Sequence, residues 1–181
     1  MKKLFLFLSM ILLCQMVKAQ NIVSGNIASI KDVSKVKVVV DWSQVKINNL
    51  SVADWLEYRQ TESPEYNAKD ELENELKPQV MENVIPYCNK RIEKLNFFLL
   101  NGDNDTDVTL KIIPLTCDKK GNNISDFEFV KTNGGTSLVK IRVKSSGGVF
   151  GTMANLWGDG FKKAGENFGK YLYKGIKAAR K

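Results

Sequence analysis

The sequence predicts an α+β fold: a mostly antiparallel sheet covered on one face by a kinked middle helix and an amphipathic C-terminal helix. Three observations carry this expectation. Between Val108 and Val143, stretches that alternate apolar and polar side chains follow one another without helices between them. The segments from Tyr66 to Cys88 and from Met153 onward instead repeat apolar side chains at helical spacing. Residues 20–181 have the length of one domain. A chain of that size buries roughly 70% of its unfolded surface and needs no metal or disulfide to fold.

Residues 1–19 read as a cleavable signal peptide. Lys2 and Lys3 form a positive n-region, Leu4 to Leu13 an apolar run, and Val17-Lys18-Ala19 places small side chains where signal peptidase cuts. The run falls well short of the roughly 20 apolar residues that a spanning helix needs. Cys14 raises a second reading, a lipoprotein acylated on that cysteine. It is disfavoured because Leu13, not a small residue, precedes it.

Asn21 to Asp32 is polar, weakly patterned and read as an entry segment. From Ser34 to Trp42, Val36, Val38, Val40 and Trp42 alternate with Lys35, Lys37 and Asp41, the period of a half-buried strand. Ser51 is an N-cap with Asp54 three residues on, starting a short helix to about Tyr58. Ser63-Pro64 restarts the helical signal, with serine as cap and proline at the first helical position. Tyr66, Leu72, Leu76, Val80, Val84, Tyr87 and Cys88 then share one side of a helical wheel. Glu71, Glu75 and Glu82 point away from that stripe, Glu73 falls inside it, and Pro78 and Pro86 should kink or divide the helix.

The strands follow. Leu95 to Leu100 is one candidate; Val108, Leu110 and Ile112 mark another, ending near Pro114. Asp118 to Asn123 has turn chemistry. Phe127, Phe129 and Lys131 begin the next strand, Asn133-Gly134-Gly135 signals a hairpin, and Leu138 to Val143 is the partner strand.

Ser146-Gly147-Gly148-Val149-Phe150-Gly151 leads into Thr152, an N-cap. Its spacing matches neither the P-loop nor the dinucleotide fingerprint, so a tight strand-to-helix turn is preferred over an anion cradle. In the last helix Met153, Trp157, Phe161, Ala164, Phe168, Tyr171 and Leu172 form the apolar face, opposite Lys162, Lys163, Glu166, Lys170, Lys174 and Lys177. Gly158, Gly165 and Gly169 share one edge of the apolar face. Each costs up to ~1 kcal/mol of helix stability relative to alanine, so close approach to a strand or another helix is expected to compensate. This helix reads first as a cover for the core and second as a basic surface for anionic lipid or an acidic partner.

Composition limits the function classes. The chain carries +7, of which Lys2, Lys3 and Lys18 belong to the signal, leaving +4 on residues 20–181. Nucleic acid is not the expected partner of an exported chain with no basic aromatic motif. There is no histidine, which removes Ser-His-Asp and Cys-His catalysis, histidine zinc sites and histidine pH switching. Cys88 and Cys117 remain after processing. A disulfide between them and two separate buried thiols both stay open at this point.

Asp103-Asn104-Asp105-Thr106-Asp107 resembles the start of a calcium loop. The glycine and glutamate that such a loop needs at positions six and twelve are Val108 and Pro114. Glu57, Glu62, Glu65 and the Asp70–Glu75 cluster are numerous enough to contain a carboxylate pair for glycoside hydrolysis, but acid runs on helices are ordinarily solvated faces. No GxSxG elbow is present. No catalytic, cofactor-binding or metal-binding residue is therefore assigned.

Leu110-Lys111-Ile112-Ile113-Pro114-Leu115, Gly121-Asn122-Asn123-Ile124-Ser125-Asp126, Gly147-Gly148-Val149-Phe150-Gly151 and Asn155 through Gly165 (Asn-Leu-Trp-Gly-Asp-Gly-Phe-Lys-Lys-Ala-Gly) resemble small exported proteins of unknown function from Bacteroidetes-type bacteria. The resemblance implies a periplasmic or outer-surface α+β domain and brings no activity or functional residue. The expectation is an exported cell-envelope protein that binds an envelope partner or helps maintain the surface, with peripheral membrane contact through the C-terminal helix. The alternatives are a carboxylate-dependent hydrolase and a small-ligand or lipid carrier. The uncovered sheet face and exposed aromatics such as Trp55 should discriminate among them.

Overall fold

The computed structural model describes residues 22–102 and 105–181. The signal peptide, Cys14, Asp103 and Asn104 lie outside the described residues. The chain forms β1 (Ile22–Gly25), a 3-10 turn (Ile27–Ile30), β2 (Lys35–Val40), β3 (Lys46–Ile47), α1 (Val52–Glu62) and α2 (Ala68–Asp70). A π-helical turn (Glu71–Leu76) leads into α3 (Pro78–Ile92) and a 3-10 turn (Glu93–Leu95). Then come β4 (Phe98–Leu100), β5 (Val108–Cys117), β6 (Asn123–Lys131), β7 (Ser137–Ser145) and α4 (Met153–Ala179).

The architecture is α+β around one mixed sheet of seven strands, ordered β1-β7-β6-β5-β2-β4, with β3 also on β5. The long pairings β5–β6 and β6–β7 are antiparallel, as is β1–β7. The sheet is mostly antiparallel, as expected, and its parallel pairings are β2–β4, β2–β5 and β3–β5. Their cause is the helical crossover: α1 to α3 return the chain to β4 beside β2, a connection that suits parallel neighbours.

Val36, Val38, Leu110, Ile112, Phe127, Phe129, Val139, Ile141 and Val143, every second residue of their strands, share one core with Val80, Val84, Cys88 and Ile92 of α3 and Trp157, Phe161, Phe168 and Leu172 of α4. The Phe127 and Phe168 rings stack with centroids 4.1 Å apart. The α4 glycines are compensated as expected, by close helix approach. A Cβ on Gly165 would lie 2.6 Å from the Val84 carbonyl oxygen, and one on Gly169 2.7 Å from Arg91 Cβ. Tyr171, expected on the apolar face, is exposed.

Other expectations need correction. The entry segment holds β1, an edge strand paired with β7 whose four residues are all exposed, so no alternation marks it. Ser63 does not cap the middle helix. Its N–H bonds the Arg59 carbonyl and closes α1, while Asn67 Oδ1 accepts from the Asp70 N–H (3.0 Å) and starts α2. Strand β5 continues beyond Pro114 to Cys117, because the register shifts between Pro114 and Thr116 and the absent proline N–H falls at that irregularity. Pro78 opens α3, where no N–H is needed, after the Lys77 N–H has bonded back to Leu72 in the π turn. Pro86 remains inside α3, on its exposed side.

Cys88 and Cys117 are free and buried, which settles them as separate thiols. Burial pushes both thiols up, Cys117 to about 12 with Asp118 adding to the rise. A maleimide should therefore react poorly with the native chain from Gln20 onward at neutral pH and should count two thiols in denaturant. Fewer than two thiols under non-reducing denaturation would contradict this assignment.

Candidate functional site

The motifs at 121–126, 147–151 and 155–165 come together at one end of the molecule. The turn after β5 is built by Asp118. Its Oδ1 accepts from the Lys120 and Asn122 N–H groups (2.8 and 3.0 Å), and its Oδ2 accepts from Asn122 Nδ2 (2.7 Å). Its carbonyl accepts from Trp157 Nε1 of α4 (2.9 Å), which ties the turn to the helix. Asn48 Oδ1 accepts from the Lys119 N–H (2.8 Å), tying the turn to the end of β3.

Glycines let these pieces touch backbone to backbone. A Cβ on Gly147 would fall onto the Lys120 carbonyl oxygen, one on Gly121 onto that of Leu156, and one on Gly160 onto that of Gly121. Gly121 also has φ +79°, in the left-handed region. Beneath them, buried Asn123 donates through Nδ2 to the Gly121 carbonyl (3.1 Å), while its Oδ1 accepts from the Ser145 hydroxyl (3.0 Å). A buried polar network with its partners made is rigid, and it fixes one arrangement of the turn.

The Gly-rich junction rests on this platform. Asn122 Oδ1 accepts from the Gly147 N–H (3.0 Å), and Lys163 Nζ donates to the Gly147 carbonyl (2.8 Å). The Gly147 N–H is thus already used, which counts against an anion cradle at that residue. Thr152 Oγ1 accepts from the Asn155 N–H (3.3 Å) and caps α4 as expected.

Between these anchors the loop presents Val149 and Phe150, 82% and 89% exposed, the two most exposed large hydrophobic residues among those described. Burying a phenylalanine is worth about 2 kcal/mol, and folding gains little of it here. No periodic pattern in the sequence marks this pair. The available signal was two large apolar residues bracketed by Gly148 and Gly151, outside any periodic pattern. Trp55, expected to be an exposed aromatic, is 1% exposed and belongs to the core.

A cleft of about 460 Å³ adjoins the platform, lined by Asn48, Trp55, Tyr58, Arg59, Glu62 and Lys119, among others. Several of its polar groups are engaged with one another or with residues behind it. Arg59 Nε and Nη2 donate to Glu71 Oε2 and Oε1 (2.8 and 3.0 Å), and that hydrogen bonding holds the guanidinium above its ordinary value. Tyr58 Oη donates to Glu62 Oε1 (2.6 Å), which pushes the phenol up.

Of the candidate carboxylates, Glu62 and Glu71 converge on Arg59 (3.6 and 2.8 Å). Asp70 accepts from Asn74, Glu73 pairs with Lys77, and Glu75 accepts from Tyr66. On the β6–β7 face, Asp126 is held by Arg142 and Glu128 by Lys140, each directly opposite across the ladder. In the 103–107 segment, Thr106 Oγ1 donates to the Val108 carbonyl (2.9 Å) and accepts from the Lys37 N–H (3.3 Å). Among the described residues no three Cys, Asp or Glu side chains stand together as a metal site, and no helix is long and apolar enough to cross a membrane.

Comparison with protein-family models, curated proteins and solved structures finds no match to this chain.

Proposed function

We propose that the chain is an exported cell-envelope protein that works by contact and not by catalysis, as an interaction or envelope-maintenance module. The observation that carries this reading is the Val149–Phe150 tip, an apolar pair standing in water on a platform of backbone-packed glycines. A fold that spends buried hydrogen bonds on holding two apolar side chains outward is suited to docking. The export half of the reading rests on the Met1–Ala19 signal, which delivers the domain to the periplasm or the cell surface. The pairing of Glu62 and Glu71 with Arg59 and of Glu73 with Lys77 favours this reading over a hydrolase, because these candidate carboxylates already have a cation.

The test is capture from the native envelope by chemical crosslinking, comparing the wild-type chain with a Val149→Ser/Phe150→Ser variant. The wild type should retain a specific set of envelope components, and the variant should lose at least about tenfold of it, the loss expected from forfeiting roughly 1.4 kcal/mol of apolar burial. Equal capture by both would overturn the proposal.

A further inference from the structure

The exposed face of α4 continues the tip into a line of positive charge. At 100° per residue, Lys163, Lys170, Lys174 and Lys177 fall within about 60° of arc, along about 21 Å of helix. The Gly-rich loop lies on this same face, since Lys163 donates to the Gly147 carbonyl and a Cβ on Gly148 would meet Asp159. Lys170 and Lys174 form the ridge between two grooves. One, of about 310 Å³, is lined by Lys90, Arg91, Glu93 and Lys94 on the α3 side; the other includes Lys144 of β7. The acids in this region are few. Glu166 pairs with Arg91 (3.5 Å), while Glu93 lines the first groove and Asp159 lies near the loop. Lys90, Lys94, Lys144, Lys170 and Lys174 have no ion pair among the described residues.

A helix that only closed a core would need no such alignment. Unpaired lysines on two helices and a strand, all flanking one ridge, repel one another and are complemented by an extended anionic surface. The apolar face of α4 is already in the core, so the helix itself cannot sink into lipid. The tip can. A single small apolar anchor holds a membrane only marginally, and a polybasic patch is the second signal that makes attachment stable.

We infer that this face docks on an anionic lipid bilayer, with Phe150 and Val149 entering the interface and the lysine ridge lying over the headgroup phosphates. The inference rests on the interaction reading above and names its partner. Each lysine near an anionic surface contributes about fivefold in partitioning, and the contribution is screened by salt.

The test is flotation of the chain from Gln20 to Lys181 with vesicles of phosphatidylcholine containing roughly a third phosphatidylglycerol, at about 0.05 M and about 0.5 M salt. Binding is expected at low salt, at least about tenfold weaker at high salt, and slight on pure phosphatidylcholine. Lys170→Glu/Lys174→Glu should weaken it by about 25-fold or more. An environment-sensitive dye on Phe150→Cys, selective because Cys88 and Cys117 are buried, should shift to the blue on binding. Failure of the folded wild type to float with anionic vesicles at low salt overturns the membrane inference, as does binding that survives both the charge reversal and high salt. If vesicles fail while the tip still captures an envelope protein, the interaction reading stands and only its lipid partner falls. If neither is seen, both fall.

Discussion

Gly121→Ala is expected to destabilise the fold by about 3 kcal/mol or more, one of the two largest single effects foreseen in this protein. Two costs add. The left-handed backbone at φ +79° is disfavoured by roughly 1–2 kcal/mol for any residue with a Cβ. That Cβ would also fall onto the Leu156 carbonyl oxygen, which is backbone and cannot swing aside. Relieving such overpacking costs a further 1–3 kcal/mol. For a chain of this length the thermal midpoint should fall by about 6–12 °C. Gly134→Ala is the control. Gly134 also has positive φ, +89°, at the β6–β7 hairpin, but a Cβ there meets nothing within 4 Å. It should lose only the conformational term, about 1–2 kcal/mol. Equal losses from the two substitutions, measured by denaturant unfolding with unchanged slope, would show that the backbone contact between turn and helix is not what holds the platform.

Arg59→Ala is expected to cost about 3 kcal/mol. It would leave Glu71, 4% exposed, with no counter-ion where it now accepts two hydrogen bonds from one guanidinium. Breaking one side of a buried pair costs 3–5 kcal/mol, and the low end applies because Arg59 itself is 26% exposed to water. Replacing both partners, Arg59→Met with Glu71→Leu, should recover most of the loss, since no charge is then left buried. A double variant as unstable as Arg59→Ala would mean that the pair fixes α1 against the π turn in a way apolar packing cannot replace.

The same pair shows where the sequence could not be read. A wheel at 100° per residue places Glu71 outward and Glu73 in the apolar stripe. The structure does the reverse, burying Glu71 and leaving Glu73 on the surface with Lys77. The π turn from Glu71 to Leu76 is the cause: its wider turn shifts the phase of the helix, and nothing in a 3.6-residue pattern announces it. Strand β2 and the apolar face of α4 are legible because their burial follows one period over many residues, and the hairpin at Gly134-Gly135 because two glycines at positive φ mark its turn. Strand β1 was not, because an edge strand with every side chain exposed carries only backbone pairing. The platform was legible in part. Its glycines and asparagines stand out in the sequence, but that Gly121, Gly147 and Gly160 serve one contact region depends on pairings between residues far apart in the chain. Val149 and Phe150 belonged to no period, so their exposure became visible only once the loop was seen resting on that region.

The central claim is that the Val149–Phe150 tip is kept for contact and contributes almost nothing to the fold. Residues this exposed should change stability by no more than about 0.5 kcal/mol when replaced. The direct measurement is the unfolding midpoint and the envelope capture of the Val149→Ser/Phe150→Ser variant, made on the same preparation. The expected result is an unchanged midpoint with capture reduced at least about tenfold. A lowered midpoint with capture intact would contradict it, because the tip would then serve the fold and not a partner.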